Sequence, residues 1–239
     1  MLNNFELLTA FNRPHNIGCK NEGGIAIYVK NNILEGITVE KKISNGIVLL
    51  KLDKKIFNIE ENIFVCFVYI PHENSVFYRN IDIDCDFFEM IEGIILEYKE
   101  KGSVFVCGDF NSRVGSIDDV LNTDHLDRYI NSVLPDEIPS IPKRKSMDNF
   151  VNRFGRNLIQ LCYNTDMTHC NGRLHKDQNG KMTFCTTKGH SVLDYLLSLP
   201  SDYKTIKDFS VLTAMNFLII LHFILCWKLI QILLKIHAV

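Results

Sequence analysis

Phe64-Val65-Cys66-Phe67-Val68-Tyr69-Ile70-Pro71 and, further along, Val104-Phe105-Val106-Cys107-Gly108-Asp109-Phe110-Asn111 decide the fold. Each opens as a short, continuous apolar run, the pattern of a strand buried on both faces. Pro71 ends the first run, because proline cannot donate to a sheet ladder. Between the two runs lie Phe87, Ile91, Ile94, Ile95 and Tyr98 at helical spacing, with Gly102 as the stop. Strand–helix–strand order with buried strands predicts an α/β sandwich. Working outward, 23–30 reads as a strand, and 37–43 with 46–52 as a hairpin across Ser44-Asn45. The stretch 150–162 reads as a helix, and 168–170, 182–186, 193–199 and 209–212 as strands. No strand is read between Met1 and Glu22. The polar stretch 123–145, with Pro135, Pro139 and Pro142, reads as a long surface loop.

The 239 residues are 46% hydrophobic and 23% charged, a globular composition that excludes wholesale disorder and suffices for a full core. With 26 basic against 28 acidic residues the formal charge is -2, which argues against a generic polyanion binder. An enzyme that reads phosphate locally remains compatible with that balance. The eight cysteines form no C-x-x-C pair, and they read as buried reduced thiols rather than disulfides or zinc ligands. Met1 to Phe11 has no basic segment leading into an apolar one, so no signal peptide is read. An intracellular setting, nucleus or cytoplasm, fits both features.

The chemistry gathers at strand ends. Asp109 and Asn111, two apart after a buried strand, share one side of an extended chain. A carboxylate there can take a proton or meet a hard cation, and an amide can hold a water or a phosphate oxygen. Gly108 permits close backbone approach. By itself such a pair more often makes an Asx turn. Tyr69 ends the neighbouring run, and Asp194 opens another in Ser191-Val192-Leu193-Asp194-Tyr195. A phenol at such a point can orient phosphate, and an acid can hold the proton of a histidine.

Seven motifs then run in order: Gly23-Gly24-Ile25-Ala26, Val68-Tyr69-Ile70-Pro71, Gly108-Asp109-Phe110-Asn111, the stretch from Arg144 through Ser146, Asp148, Asn152 and Gly155 to Leu158, Asn171-Gly172-Arg173, Thr183-Phe184, and Ser191 to Tyr195. Their order and spacing resemble the endonuclease/exonuclease/phosphatase superfamily, and within it the endonuclease domain of non-LTR retrotransposons. The resemblance implies a four-layer α/β sandwich and Mg²⁺-dependent cleavage of DNA phosphodiester bonds. It implies that Asp109 activates the attacking water, Asn111 orients phosphate and water, Tyr69 contacts phosphate and Asp194 orients a catalytic histidine. The strand-end loops would meet DNA, through Arg113, Lys143, Arg144, Lys145 and Arg173, with Asn171 and Ser191 also on the substrate side. A fusion to reverse transcriptase in the parent element is the further partner it implies.

Two parts of that pattern are missing, so the resemblance implies an incomplete sandwich. The family's N-terminal strands carry an Asn and a metal-ligating Glu. Neither Glu6 nor Glu22 sits in that context, so no residue is assigned as metal ligand. The closing Ser-Asp-His motif is also absent. One choice of third bases in the codons for Asn216 to Phe223, read from the third base, gives Phe-Ser-Asp-His-Ser-Pro-Phe. The reading is therefore an endonuclease-type domain over 1–213 and an apolar tail over 214–239 that is out of frame or otherwise non-homologous. A membrane anchor is the alternative for the tail, disfavoured by His222, Lys228 and Gln231 within the apolar stretch. The functional reading is a descendant of a DNA endonuclease, inactive as written. The alternatives are a non-catalytic remnant and a membrane-attached phosphoesterase of the same fold.

Overall fold

The computed structural model describes residues 4–12, 24–43, 46–79, 86–121, 141–187, 189–211, 218–225 and 228–236. The Ser44-Asn45 turn, most of the 123–145 loop and the proposed frame junction at 214–216 lie outside them. The chain runs through β1 (Phe5–Asn12), β2 (Gly24–Lys30), β3 (Ile37–Ile43), β4 (Ile47–Leu52), a short α1 (Lys54–Phe57), β5 (Asn62–Tyr69), α2 (Phe87–Tyr98) and β6 (Gly102–Asp109). It continues through α3 (Arg153–Thr165), β7 (Thr168–His169), β8 (Phe184–Thr186), β9 (Gly189–Ser191), β10 (Asp194–Ser198), β11 (Leu218–Leu225) and β12 (Lys228–Ile236). A six-stranded sheet has the order β3-β4-β5-β6-β10-β7, and a four-stranded sheet the order β1-β2-β12-β11. Among the described residues only β5 and β6 pair in parallel, as expected of two strands joined by a crossover helix.

Alternation along β5 sorts the core into two layers. Ile63, Val65 and Phe67 face the four-stranded sheet and meet Ile25, Ile27 and Val29 of β2. Phe64, Cys66 and Val68 face the helices and meet Ile91 and Ile95 of α2 and Leu158 of α3. Both faces of β5 are therefore dry, which is why it reads as an unbroken apolar run. The described residues form helices on one face of the six-stranded sheet and the four-stranded sheet on the other.

Two expectations change. A strand does lie within Met1–Glu22: β1 pairs antiparallel with β2. From Phe5 to Ala10 its side chains are exposed or half-buried, and the sequence shows no clean alternation of apolar and polar residues. The stretch 206–211 is irregular rather than a strand. The apolar tail contributes two strands, and β12 pairs with β2 through Leu233–Tyr28, Leu234–Ile27, Lys235–Ala26 and Ile236–Ile25. Among the described residues no helix is long and apolar enough to cross a membrane. Cys66, Cys107, Cys162 and Cys170 are buried free thiols, and burial pushes Cys66 and Cys170 up to about 12.

Candidate active site

Tyr69 is the last residue of β5 and stands opposite Asp109, the last residue of β6. Asp109 in turn stands opposite Asp194, the first residue of β10. Neighbouring strands lie roughly 5 Å apart. The three side chains thus form a row across three adjacent strands. They share a face, because Phe67, Cys107 and Leu196, each two residues away, all point to the layer between the sheets. The four residues expected to form the site come together: Asn111 follows at the turn that leaves β6.

That turn is tied on three sides. Asp109 Oδ1 accepts the Asn111 N–H at 2.8 Å, an Asx turn. Gly108 has φ +141, and a Cβ there would overlap the Val68 carbonyl oxygen, so the sharp exit from β6 needs glycine. Asn111 sits in the left-handed region at φ 47, and its Nδ2 donates to Ile70 O at 2.7 Å, just past the end of β5. Phe110 N donates to Leu193 O at 3.0 Å, just before β10. Asn152, the cap of α3, accepts from Arg113 N (2.8 Å) and Gly155 N (2.7 Å) and donates to Asn111 O (3.0 Å). One amide therefore joins the helix start to the turn. Asp148 makes a second tie, with both oxygens on the Arg113 guanidinium (2.8 and 2.6 Å) and one also on Val192 N at 3.1 Å.

Asp194 is held by Thr183, whose hydroxyl oxygen accepts from Leu193 N and Asp194 N at 3.0 and 3.1 Å. Burial pushes the Asp194 carboxyl up to about 6, with a Thr183 hydrogen bond opposing it. The acid row therefore carries one carboxyl raised above the ordinary carboxylate range, a kind of shift that clusters at functional sites.

Several residues expected to face substrate do something else. Arg173 is buried; it pairs with Asp119 through both nitrogens and also donates to His169 O and Pro142 O. Arg144 is buried, with its guanidinium on Gly115 O and Ile117 O. Asn171 is buried and spends its amide on Leu196 N and Asp194 O. Ser191 is buried at the end of β9, where its carbonyl accepts Thr183 N. All four are buried, and Asn171 alone of them hydrogen-bonds to β10, at Asp194 O and Leu196 N. Arg113 is half-buried and held by Asp148, with its guanidinium carbon 4.6 Å from the centre of the Phe150 ring. Asn152, Asp148 and Thr183 hold the site, although as sequence they were only parts of motifs. Their capping and turn patterns, Asn152 three before Gly155 above all, were the available signal.

The fit of the site to magnesium can be judged from its donors. Among the described residues no group of three or more His, Cys, Asp or Glu side chains could hold a metal. The row offers two carboxylates, Asp109 and Asp194. Among the described residues, the donors at this row therefore do not make up a metal site of three such ligands.

Two packed sheets, a helix layer on the larger one and an acid row at the ends of its central strands define a class: the chain has the endonuclease/exonuclease/phosphatase fold. The AP endonuclease LMAP from Leishmania major is similar, with a TM-score of 0.56 at 11% identity over 98% of this chain and 71% of that one. The endonuclease domain of TRAS1, a telomere-specific non-LTR retrotransposon, gives 0.48 at 11% identity over 96% and 80%. The 3'-5' exonuclease NExo from Neisseria meningitidis gives 0.47 at 12% identity over 86% and 71%. No protein-family model and no curated protein matches the chain.

Proposed function

We propose that this chain derives from a Mg²⁺-dependent DNA endonuclease of the non-LTR retrotransposon type, and that these 239 residues alone cleave DNA negligibly. The observation that carries the reading is the row Tyr69–Asp109–Asp194 across β5, β6 and β10, with Asn111 at the next turn. A phenol, two acids and an amide in that order suit a phosphodiester: donors for the phosphate oxygens, and a carboxylate for the attacking water. The likeness to an AP endonuclease supports the same class of substrate. The motifs around Arg144 to Leu158 and at Asn171-Gly172-Arg173 favour the retrotransposon branch, and with it a reverse transcriptase partner. Negligible activity follows from the donors. Among the described residues the row has no third carboxylate and no imidazole, and losing one transition-state donor typically costs about 10²–10³ in rate.

Nicking of supercoiled plasmid in Mg²⁺ tests this. The chain is expected to show no Mg²⁺-dependent nicking above background, and Asp109→Ala to change nothing. A second protein carrying Phe-Ser-Asp-His-Ser-Pro-Phe at 217–223 is expected to gain nicking that Asp109→Ala abolishes. Nicking by the unaltered chain that Asp109→Ala removes would overturn the inactivity. Hydrolysis of a lipid phosphodiester in place of DNA would overturn the substrate class.

A further inference from the structure

The chain between Pro142 and α3 alternates inward and outward. Arg144 and Asp148 point in and are 8% and 2% exposed, whereas Met147 and Phe150 are 54% and 67% exposed. Lys143 and Lys145 are exposed as well. The stretch is held in place by its backbone: Lys145 N donates to Gly172 O at 3.1 Å and Met147 N to Gly180 O at 2.9 Å. Its far end is held by the Arg113–Asp148 pair described above, and Arg113 covers one face of the Phe150 ring. Two more exposed cations, Arg153 and Arg156, follow in the first turn of α3. Cations are unfavourable at the positive end of a helix dipole, and that turn contains no acid to offset them. A bound polyanion would offset them.

We propose that this strip binds single-stranded DNA, with Lys143, Lys145, Arg153 and Arg156 on successive phosphates and one unpaired base stacked on the free face of Phe150. Single exposed apolar residues are common on protein surfaces. Here an exposed aromatic ring backed by Arg113 is flanked in sequence by four exposed cations, on a chain whose net charge is -2. Cations that track a backbone and an aromatic ring that takes a base are the two components of single-strand recognition. The strip also adjoins the acid row: Arg113 and Asn152 join it to the turn at Asn111. A strand lying along it would present a phosphate to Asp109 with a neighbouring base unstacked. A duplex with every base stacked leaves Phe150 unused. The choice of DNA rests on the proposed function, but the test reads binding and not cleavage.

Fluorescence anisotropy of a labelled oligothymidylate, alone and annealed to its complement, provides that test in the presence of EDTA. The single strand is expected to bind more tightly than the duplex. Phe150→Ala should weaken single-strand binding roughly tenfold and Phe150→Trp should restore it, stacking on one aromatic being worth about 1–3 kcal/mol. Lys143→Ala with Lys145→Ala should reduce the salt slope by about 1.4, or ~0.7 per phosphate contact. Phe150 is exposed, so its variants should melt with the parent. Equal binding by Phe150→Ala and parent, a preference for duplex, or no binding would each overturn the strip. Those results leave the proposed function standing, because it is judged by nicking.

Discussion

At the residue scale the site holds a carboxyl that is uncomfortable in its charged form. Burial raises Asp194 from an ordinary 3.8 to about 6. Between those values the folded chain holds a proton that the unfolded chain has released, so this group's contribution to stability falls as pH rises through the window. Asp194→Asn removes the ionisation and keeps an acceptor for Thr183. Above pH 7 the variant should be more stable than the parent by about 1–2 kcal/mol, a figure reduced for partial exposure. Near pH 4 and below the two should unfold alike. Urea titrations at both pH values in EDTA decide it; a gain of equal size at both would mean that packing, not charge, sets the effect. Such strain is usual where function needs a particular ionisation. Tyr69, Asp109 and Asp194 were legible as sequence because each ends or begins a buried strand, with Asn111 two residues past such an end, and a strand end is where a polar group can reach solvent. The protonation of Asp194 was not legible, since it depends on burial by residues distant in the chain.

At the element scale α2 was readable to its last residue. Five of its apolar positions follow one stripe, and Asp86 caps it through Phe88 N at 2.8 Å. The start of α3 was read three residues early because Phe150 and Val151 continue an apolar pattern. In the structure Val151 bridges to Val114, Phe150 faces solvent and Asn152 caps the helix. That cap is the most economical test of how the site is built. Asn152→Ala removes a cap worth about 1–2 kcal/mol and frees Asn111 O and Arg113 N together, so a loss of about 2 kcal/mol or more is expected. Asn152→Ser keeps a capping oxygen but, one atom shorter and without the amide nitrogen, should not span to Asn111 O at the same time, and should recover only part of the loss. Amide exchange separates the contributions. Asn152→Ser should protect Gly155 as in the parent and leave Arg113 N less protected. If serine restores both, the bridge to the turn adds nothing beyond the cap. Gly155 belongs to the same joint, since a Cβ there would overlap the Arg113 carbonyl.

For the whole molecule, the interactions that close the fold leave little trace in sequence. Asp119, His169 and Arg173 meet in the interior, and His169 packs edge-on to Tyr195 at 4.9 Å, beside Asp194. Burial alone would raise Asp119, but hydrogen bonds from Arg173 and His169 hold it well below the carboxylate range; burial keeps His169 low. Asp119→Ala strands a buried guanidinium and should cost about 3–5 kcal/mol, visible as a lowered urea midpoint at unchanged slope. The tail poses a different question, because origin and structural role are separable. A segment read out of frame but rich in leucine and isoleucine still carries strand-forming side chains, and β2 presents an edge to pair with. Deleting 214–239 would leave the β2 edge open while Ile25, Ile27 and Val29 still pack on the larger sheet. An open edge invites pairing with other chains. If the pairing persists in solution, the truncated chain should lose amide protection along Gly24–Lys30 and self-associate at rising concentration, with the helix layer unchanged. If the tail only trails from the domain, deletion should leave β2 exchange as it was and improve solubility by removing exposed apolar surface. Exchange at Ile25 to Tyr28, the residues in register with β12, distinguishes the two before any question of reading frame is settled.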